Sequence, residues 1–299
     1  MAKENRKPSN LFLRFLIGIP VGAIAVAIFA FGNYTLLTLV LVGSWFTLRE
    51  FWRLTGVDHP GKFFILARLG ELATLILLYL AWANPSGSLD IMLAIFLPVF
   101  FIAQLVAKAR GAQSFIKEVG MVTLGVLYVG GFLSFIFKLR NLQIYLQDIG
   151  AIEISTRFFN TPDMIHFTVF PVLASWCCDT AAFFSGKYFG RTQLAPTISP
   201  KKTVAGLIGG MVGSAVGVSV YAWLIGLVGE IQLYELMAFG ALAAAFSQLG
   251  DLTISAIKRE AHRKDSGSLL GAHGGMLDRI DGFLFALPAT YIFLLLVLG

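Results

Sequence analysis

The sequence contains few charged residues and almost no cysteine. Only 13% of its 299 residues are charged and 57% are hydrophobic, whereas ordinary globular domains carry about 25% charged residues. The mean hydropathy is +0.78. The two cysteines, Cys177 and Cys178, are adjacent inside an apolar run, which excludes a disulfide scaffold and a cysteine-based zinc site. This composition predicts an integral membrane protein.

Several familiar catalytic motifs are also missing. The sequence has no GxxxxGK[ST] phosphate loop and no GxGxxG turn. It has no HExxH zinc motif and no GxSxG nucleophile elbow. The net charge of +6 does not indicate nucleic-acid binding, because the Lys and Arg residues lie in short loops between apolar segments and form no long run. We therefore expect no nucleic-acid partner.

Long apolar stretches dominate what is present. A spanning helix needs about 20 mostly apolar residues, and nine stretches qualify: 11–31, 34–53, 64–82, 89–107, 119–137, 165–186, 204–228, 233–257 and 283–298. The pattern predicts an all-α, polytopic membrane helix bundle. We divide it into residues 1–164, with five spans and an outside loop, and residues 165–299, with four spans and the candidate site.

The basic residues predict the orientation. With a cytoplasmic N-terminus, all but three of the 23 Lys and Arg residues fall on the cytoplasmic side, the exceptions being Lys138, Arg140 and Arg157. Such a bias follows the positive-inside rule. The loops after spans six and eight then face the cytoplasm together, so we expect one site at the cytoplasmic face of a bacterial inner membrane.

Four carboxylates near that face are candidate metal ligands. Asp179 and Asp251 lie in apolar spans, where a carboxylate costs about 2.5–3.5 kcal/mol and usually serves a function. Asp278 and Asp281 are three residues apart, which puts them on one face of a helix. Asp251, Ser255, Lys258 and His262 also fall on one helical face. Oxygen ligands of this kind suit Mg²⁺, which takes few protein ligands together with substrate phosphates.

Cations surround these carboxylates in greater number than topology requires. A triphosphate or a phospholipid headgroup would bind such residues. Gly274 and Gly275 allow a ligand to approach the backbone closely. The candidate phosphate-binding cations are Lys201, Lys202, Lys258, Arg259, Lys264 and Arg279.

Glycines recur on the seventh predicted span, mostly every four residues. We interpret them as sites of close helix packing, with a homodimer contact as the alternative. They are Gly206, Gly209, Gly213 and Gly217.

The C-terminal motifs resemble the signature of the CDP-diacylglycerol synthases, also called phosphatidate cytidylyltransferases. The matching positions are Ser255, Lys258, Arg259, Lys264, Asp265, His273, Gly274, Gly275, Asp278, Arg279 and Asp281. An upstream block is similar too, with Asp179, Thr180, Gly186 and Gly190 followed by SPKKT at 199–203. Ala205 departs from the pattern, because the family usually has Glu there. The resemblance is specific over the C-terminal 45% or so of the chain.

The resemblance implies that CTP and phosphatidic acid react to give CDP-diacylglycerol and pyrophosphate. It implies divalent metal, in our interpretation two ions of which one is Mg²⁺ and the second is unidentified, held by Asp179, Asp251, Asp278 and Asp281. The cations named above would hold the phosphates, with Lys258 and Arg259 nearest the chemistry. Ser255 and His273 would orient the substrates by hydrogen bonds. Membrane lipid would surround the site.

An ion- or proton-coupled transporter is the main alternative. Intramembrane carboxylates suit a transporter, but its charged residues should lie near the midplane in repeated halves. Here they cluster at one face, and no internal repeat is evident. Two other lipid enzymes, the CDP-alcohol phosphotransferases and polyprenyl transferases, are disfavoured because their motifs are absent.

Overall fold

The computed structural model describes residues 33–57, 64–84, 102, 115–148, 165–228, 231–267, 269 and 274–298. The predicted spans 11–31 and 89–107 lie outside the described residues, apart from residue 102. His273 and most of the predicted outside loop also lie outside them.

Seven helices and one small hairpin make up the described chain. The helices are α1 (Asn33–Thr55), α2 (Phe64–Ala83), α3, α4 (Ile165–Phe189), α5 (Val204–Leu224), α6 (Leu233–Glu260) and α7 (Leu277–Leu298). Helix α3 runs as Phe115–Gly125, a π-helical turn at Val126–Gly131, and Phe132–Asp148. The hairpin strands are β1 (Gln193–Ala195) and β2 (Ser199–Thr203).

Six helices within the described residues are long and apolar enough to cross a membrane. They are α2 to α7, and their apolar windows have mean hydropathies between 1.3 and 2.0. The predicted all-α, polytopic membrane bundle is confirmed. The number of nine spans and the cytoplasmic N-terminus stay predictions.

Helices α4 to α7 pack against one another most extensively, with α3 and α1 also against α7. Phe170, Phe239 and Leu287 are fully buried between them. Outward-facing side chains remain apolar, as at Val212 and Ile292, which are more than half exposed. An apolar exterior around an apolar core is the pattern of a helix bundle whose surroundings are lipid.

The glycine face of α5 packs against α4 in the same chain. A Cβ at Gly209 would collide with the Ser185 side chain, and one at Gly213 would collide with the Ala181 side chain. Small residues allow membrane helices to approach closely in this way. Close packing against α4 is thus confirmed at Gly209 and Gly213. The homodimer contact stays a prediction.

The hairpin was not predicted, and it explains the upstream motif block. Strands β1 and β2 pair antiparallel, with Gln193 opposite Thr203. The Thr203 side chain accepts a hydrogen bond from the Gly206 amide at 3.1 Å and so caps the N-terminus of α5. A Cβ at Gly186 or Gly190 would crowd Thr203. These glycines therefore make room for the hairpin at the end of α4.

Candidate active site

Three carboxylates from three helices influence one another at one end of the bundle. Asp179 on α4 interacts electrostatically with Asp251 on α6, and Asp281 on α7 interacts with both. The Asp281 side chain is buried, whereas Asp179 is exposed and Asp251 lies between. Like charges held together in this way disfavour one another's ionised form, and a bound cation would relieve that repulsion.

The crossing of α6 and α7 sets the position of two of these carboxylates. A Cβ at Gly250 would collide with the Asp281 carbonyl oxygen, and a Cβ at Gly282 would lie 2.5 Å from Ser247 Oγ. Each glycine adjoins an aspartate, Gly250 before Asp251 and Gly282 after Asp281. The two backbones can therefore approach where these aspartates project.

Asp251 is shared between a cation and a hydroxyl. Lys202 Nζ lies 2.7 Å from Asp251 Oδ2, as an ion pair without hydrogen-bond geometry. Ser255 Oγ donates to Asp251 Oδ1 at 3.1 Å. Because side chains alternate along a strand, the neighbouring Lys201 faces solvent. The hairpin thus supplies one lysine to the carboxylates and one to the open side.

Asp281 has few partners for a buried carboxylate. Its Oδ1 accepts from the Gly282 amide at 2.7 Å. Among the described residues, no cation lies within ion-pairing distance of it, although Lys258 acts on it electrostatically. A buried charge without a close partner is expensive, so this carboxylate has capacity for a cationic ligand.

Asp278 differs, because both of its oxygens are engaged. Lys258 Nζ donates to Oδ1 at 2.6 Å. Oδ2 accepts from the Ser266 amide at 2.8 Å and the Gly275 amide at 3.1 Å, and it lies 2.9 Å from Ser266 Oγ. These contacts tie the α6–α7 loop to the start of α7. The structure gives Asp278 a role in holding that loop.

Sequence reasoning missed Glu50 on α1. The residue is 3% exposed, and its oxygens accept from the amides of Met276 at 3.0 Å and Leu277 at 2.9 Å. Ser266 Oγ lies 2.8 Å from Glu50 Oε2. Glu50 lies inside the predicted apolar span 34–53, as Asp179 lies inside the predicted span 165–186, and this is the signal that could have identified it.

The remaining cations lie at the exposed surface of the site. Arg259 Nε donates to the Ile198 carbonyl at 3.1 Å, and its Nη1 donates to the Arg263 carbonyl at 3.1 Å, so this side chain braces the hairpin against α6. Lys201, Lys264 and Arg279 are exposed. Arg279 acts electrostatically on Asp179.

One predicted alignment is wrong. Asp251, Ser255 and Lys258 lie along α6, but the helix ends at Glu260. His262 adopts φ 54° in the turn that follows, where its amide bonds to the Arg259 carbonyl at 3.0 Å. The chain turns out of the helical path there, so His262 does not continue the face.

The donor set is compatible with Mg²⁺ that substrate helps to ligate. No three His, Cys, Asp or Glu side chains in the described ranges form a ready metal cluster. Mg²⁺ usually retains waters and takes one or two carboxylates together with substrate phosphates. Asp281, with its unmatched buried charge, and the neighbouring Asp251 and Asp179 fit that mode.

Fold and site together define a class: a polytopic membrane protein with an acidic and basic site at one end of its bundle. The sequence matches the cytidylyltransferase family over residues 12–297. The chain belongs to this family.

Curated relatives carry a more specific name. The chain is 35% identical to the phosphatidate cytidylyltransferase of Bacillus subtilis (strain 168), over 60% of this chain and 59% of the relative. It is 34% identical to that of Thermotoga maritima, over 64% of each chain. It is 33% identical to the chloroplastic phosphatidate cytidylyltransferase 4 of Arabidopsis thaliana, over 97% of this chain and 75% of the relative. The matches to the two bacterial relatives thus span about three fifths of their length.

Proposed function

We propose that the protein is a phosphatidate cytidylyltransferase that converts CTP and phosphatidic acid into CDP-diacylglycerol and pyrophosphate. The observation that carries the proposal is the group of Asp179, Asp251 and Asp281, with Lys202 against it, at one end of the spans in a member of this family. The names of the relatives supply the substrate class.

The proposed reaction requires no enzyme nucleophile. The lipid phosphate is largely ionised at neutral pH, because its second pKa is about 6. One of its oxygens attacks the α-phosphorus of CTP in line. The bond from that phosphorus to the oxygen bridging the β-phosphate breaks, and pyrophosphate leaves with the electron pair. Catalysis then rests on positioning and on the stabilisation of charge.

Each part of the site has a role in this proposal. Asp179, Asp251 and Asp281 would hold one or two Mg²⁺ ions, which supply neutralisation of charge on the phosphate oxygens. Asp278 is left out of this set because Lys258, Ser266 and Gly275 occupy its oxygens.

The exposed cations are suited to the phosphates. Lys201, Lys264 and Arg279 are exposed, and Lys202 joins them at the carboxylates. Lys258 and Arg259 would act mainly by holding Asp278 and the hairpin. Ser255 orients Asp251. We place the site at the cytoplasmic face, where CTP is available and the lipid phosphate lies in the adjacent leaflet.

The test is pyrophosphate release by purified protein in mixed micelles of detergent and phosphatidic acid, with CTP and Mg²⁺. Asp281→Asn should lower kcat by about 10²-fold or more, because charge stabilisation of this kind is worth that much. Glu260→Gln, at an exposed carboxylate two residues past Lys258 and outside the group of three, should keep the wild-type rate. EDTA should abolish turnover and added Mg²⁺ should restore it.

Each component of the proposal can fail separately. A wild-type protein that releases no pyrophosphate with any phosphatidic acid would refute the function. An Asp281→Asn variant as active as wild type would refute the carboxylate assignment, and EDTA-resistant turnover would refute the metal requirement.

A further inference from the structure

Glu50 is the described carboxylate whose bonds join the N-terminal half of the chain to the site. It projects from α1, five residues before the end of that helix, and its partners lie more than 200 positions away in sequence. Those partners are the hydroxyl of Ser266 and the amides of Met276 and Leu277. A single side chain therefore contacts both the interior of the α6–α7 loop, at Ser266, and the start of α7.

The amide contacts satisfy groups that a helix leaves unpaired. Leu277 begins α7, and the first N–H groups of a helix have no partner within it. Glu50 accepts from two such groups, and a carboxylate is favoured by the positive end of the helix dipole. Glu50 thus acts as the cap of α7, although it belongs to another helix.

Two glycines in the loop lie so close to the Glu50 carboxylate that a larger residue would not fit. A Cβ at Gly267 would lie 2.5 Å from Glu50 Oε1, and a Cβ at Gly275 would collide with both Glu50 Oε2 and Ser266 Oγ. The second glycine of the His-Gly-Gly motif therefore makes room for a protein carboxylate. The sequence predicted that a ligand approaches the backbone at Gly274 and Gly275, but the space beside Gly275 is occupied by the Glu50 side chain.

Ser266 connects this anchor to Asp278. Its hydroxyl oxygen lies 2.8 Å from Glu50 Oε2 and 2.9 Å from Asp278 Oδ2. Asp278 in turn holds Lys258 on α6. A continuous chain of contacts therefore runs from α1 through the loop to both helices that carry Asp251 and Asp281.

We propose that Glu50 is a positioning residue of the active site: it fixes the α6–α7 loop and the start of α7, and thereby the placement of Asp281 and Lys264. The inference rests on the proposed function for its catalytic consequence. The anchoring itself is a statement about the fold, and it can be measured without turnover.

Two measurements on purified full-length protein test the two parts. The first is the rate of limited trypsin cleavage after the exposed Arg263 and Lys264. The second is the steady-state kinetics of pyrophosphate release. Glu50→Ala removes all three contacts, whereas Glu50→Gln keeps the shape and one acceptor oxygen but turns an NH₂ toward an N–H donor.

Glu50→Ala should speed cleavage in the loop about tenfold or more, because a buried anchor that accepts several hydrogen bonds is lost. It should lower kcat by about 10²-fold with a smaller change in the KM for CTP, because misplacement by about 1 Å costs that much in rate. Glu50→Gln should lie between Glu50→Ala and wild type in both measurements, which is a partial rescue by shape.

Glu71→Gln is the matched control. Glu71 is also buried, at 5% exposed, but it pairs with Arg68 at 2.6 Å and Arg49 at 3.7 Å, and it makes no hydrogen bond or ion pair with the described residues of the loop. This variant should lose thermal stability while its loop cleavage and its kcat stay within about twofold of wild type.

The outcomes separate the two claims. Wild-type loop cleavage in Glu50→Ala would overturn the anchoring, and equal kinetic losses in the Glu50 and Glu71 variants would overturn the positioning role. If wild-type protein releases no pyrophosphate, the proposed function fails, and the cleavage measurement still decides whether Glu50 holds the loop.

Discussion

Two ion pairs in the site differ in how much water reaches them. The Lys258 and Asp278 side chains are each 11% exposed, whereas Lys202 is 22% and Asp251 is 40% exposed. Water screens an exposed pair, and such pairs contribute little to stability. A buried pair is different, because removing one partner leaves an uncompensated charge. The two pairs therefore serve different purposes in one site.

Double-mutant cycles on the two pairs should give unequal coupling energies. For Lys258→Met with Asp278→Asn we expect a coupling of about 1–3 kcal/mol in the free energy of unfolding. For Lys202→Met with Asp251→Asn we expect less than about 1 kcal/mol. Denaturant unfolding in one detergent measures both cycles. Equal couplings would contradict the structural role assigned to Lys258 and Asp278, and would leave no reason to separate them from the substrate-facing groups.

Helix packing depends on where each glycine lies. Gly213 on α5 lies against Ala181 of α4, so a methyl group there must push the two helices apart. Gly120 on α3 is exposed, and a Cβ there would meet no atom within 4 Å. Glycine is thus required for helix packing at Gly213 but not at Gly120.

The same substitution at these two glycines should have opposite effects. Gly213→Ala should destabilise the protein by about 1–3 kcal/mol, because it overpacks a close helix contact. Gly120→Ala should be neutral or stabilising by up to about 1 kcal/mol, because Ala is the better helix former. Thermal unfolding in detergent compares the two variants. Destabilisation by Gly120→Ala as large as that by Gly213→Ala would show that α4–α5 contact is not the cause.

Element positions were predicted well where apolar runs define them. The expected spans 64–82 and 165–186 correspond to α2 and α4, which end one and three residues later. The last span was expected at 283–298, but α7 begins at Leu277. A span predicted from hydropathy ends where charged residues begin, so the prediction left out Asp278, Arg279 and Asp281. These residues are nevertheless helical, because Glu50 and Asp278 accept hydrogen bonds from the amides at the helix start.

The candidate residues of the site could be selected from the sequence, but the contacts between them could not. Carboxylates and cations stand out in an apolar sequence, so Asp179, Asp251 and Asp281 could be identified from type and position. The pairing of Asp278 with Lys258 depends on how α6 and α7 cross, and the local sequence around either residue does not determine that crossing. The Glu50 contacts span more than 200 positions, and only the folded chain brings them together.

In the molecule as a whole, the two predicted halves are not independent. Helix α3 packs against α7, and α1 reaches α7 and α6. On α1, adjacent residues point to different neighbours, Arg49 to Glu71 on α2 and Glu50 to α7. The boundary drawn at residue 164 therefore separates sequence motifs, while packing and the Glu50 contacts cross it.

The orientation of the whole bundle follows from α5 alone once one end is assigned. Its 21 residues rise about 31 Å at 1.5 Å per residue, enough to cross a bilayer core of about 30 Å. Thr197 at the hairpin tip and Tyr234 at the start of α6 must then lie on opposite sides of the membrane, and both side chains are exposed. The basic residues near the hairpin predict that this side faces the cytoplasm.

Single cysteines at these positions test the orientation in a background with Cys177→Ala and Cys178→Ala. A membrane-impermeant maleimide should label Thr197→Cys in inverted vesicles only and Tyr234→Cys in right-side-out vesicles only. Labelling of both from one side would contradict the assignment of α5 as a span, and the reverse pattern would put the site outside. A site on the outer face would be cut off from cytoplasmic CTP, so this measurement bears on the proposed function as directly as the assay of turnover does.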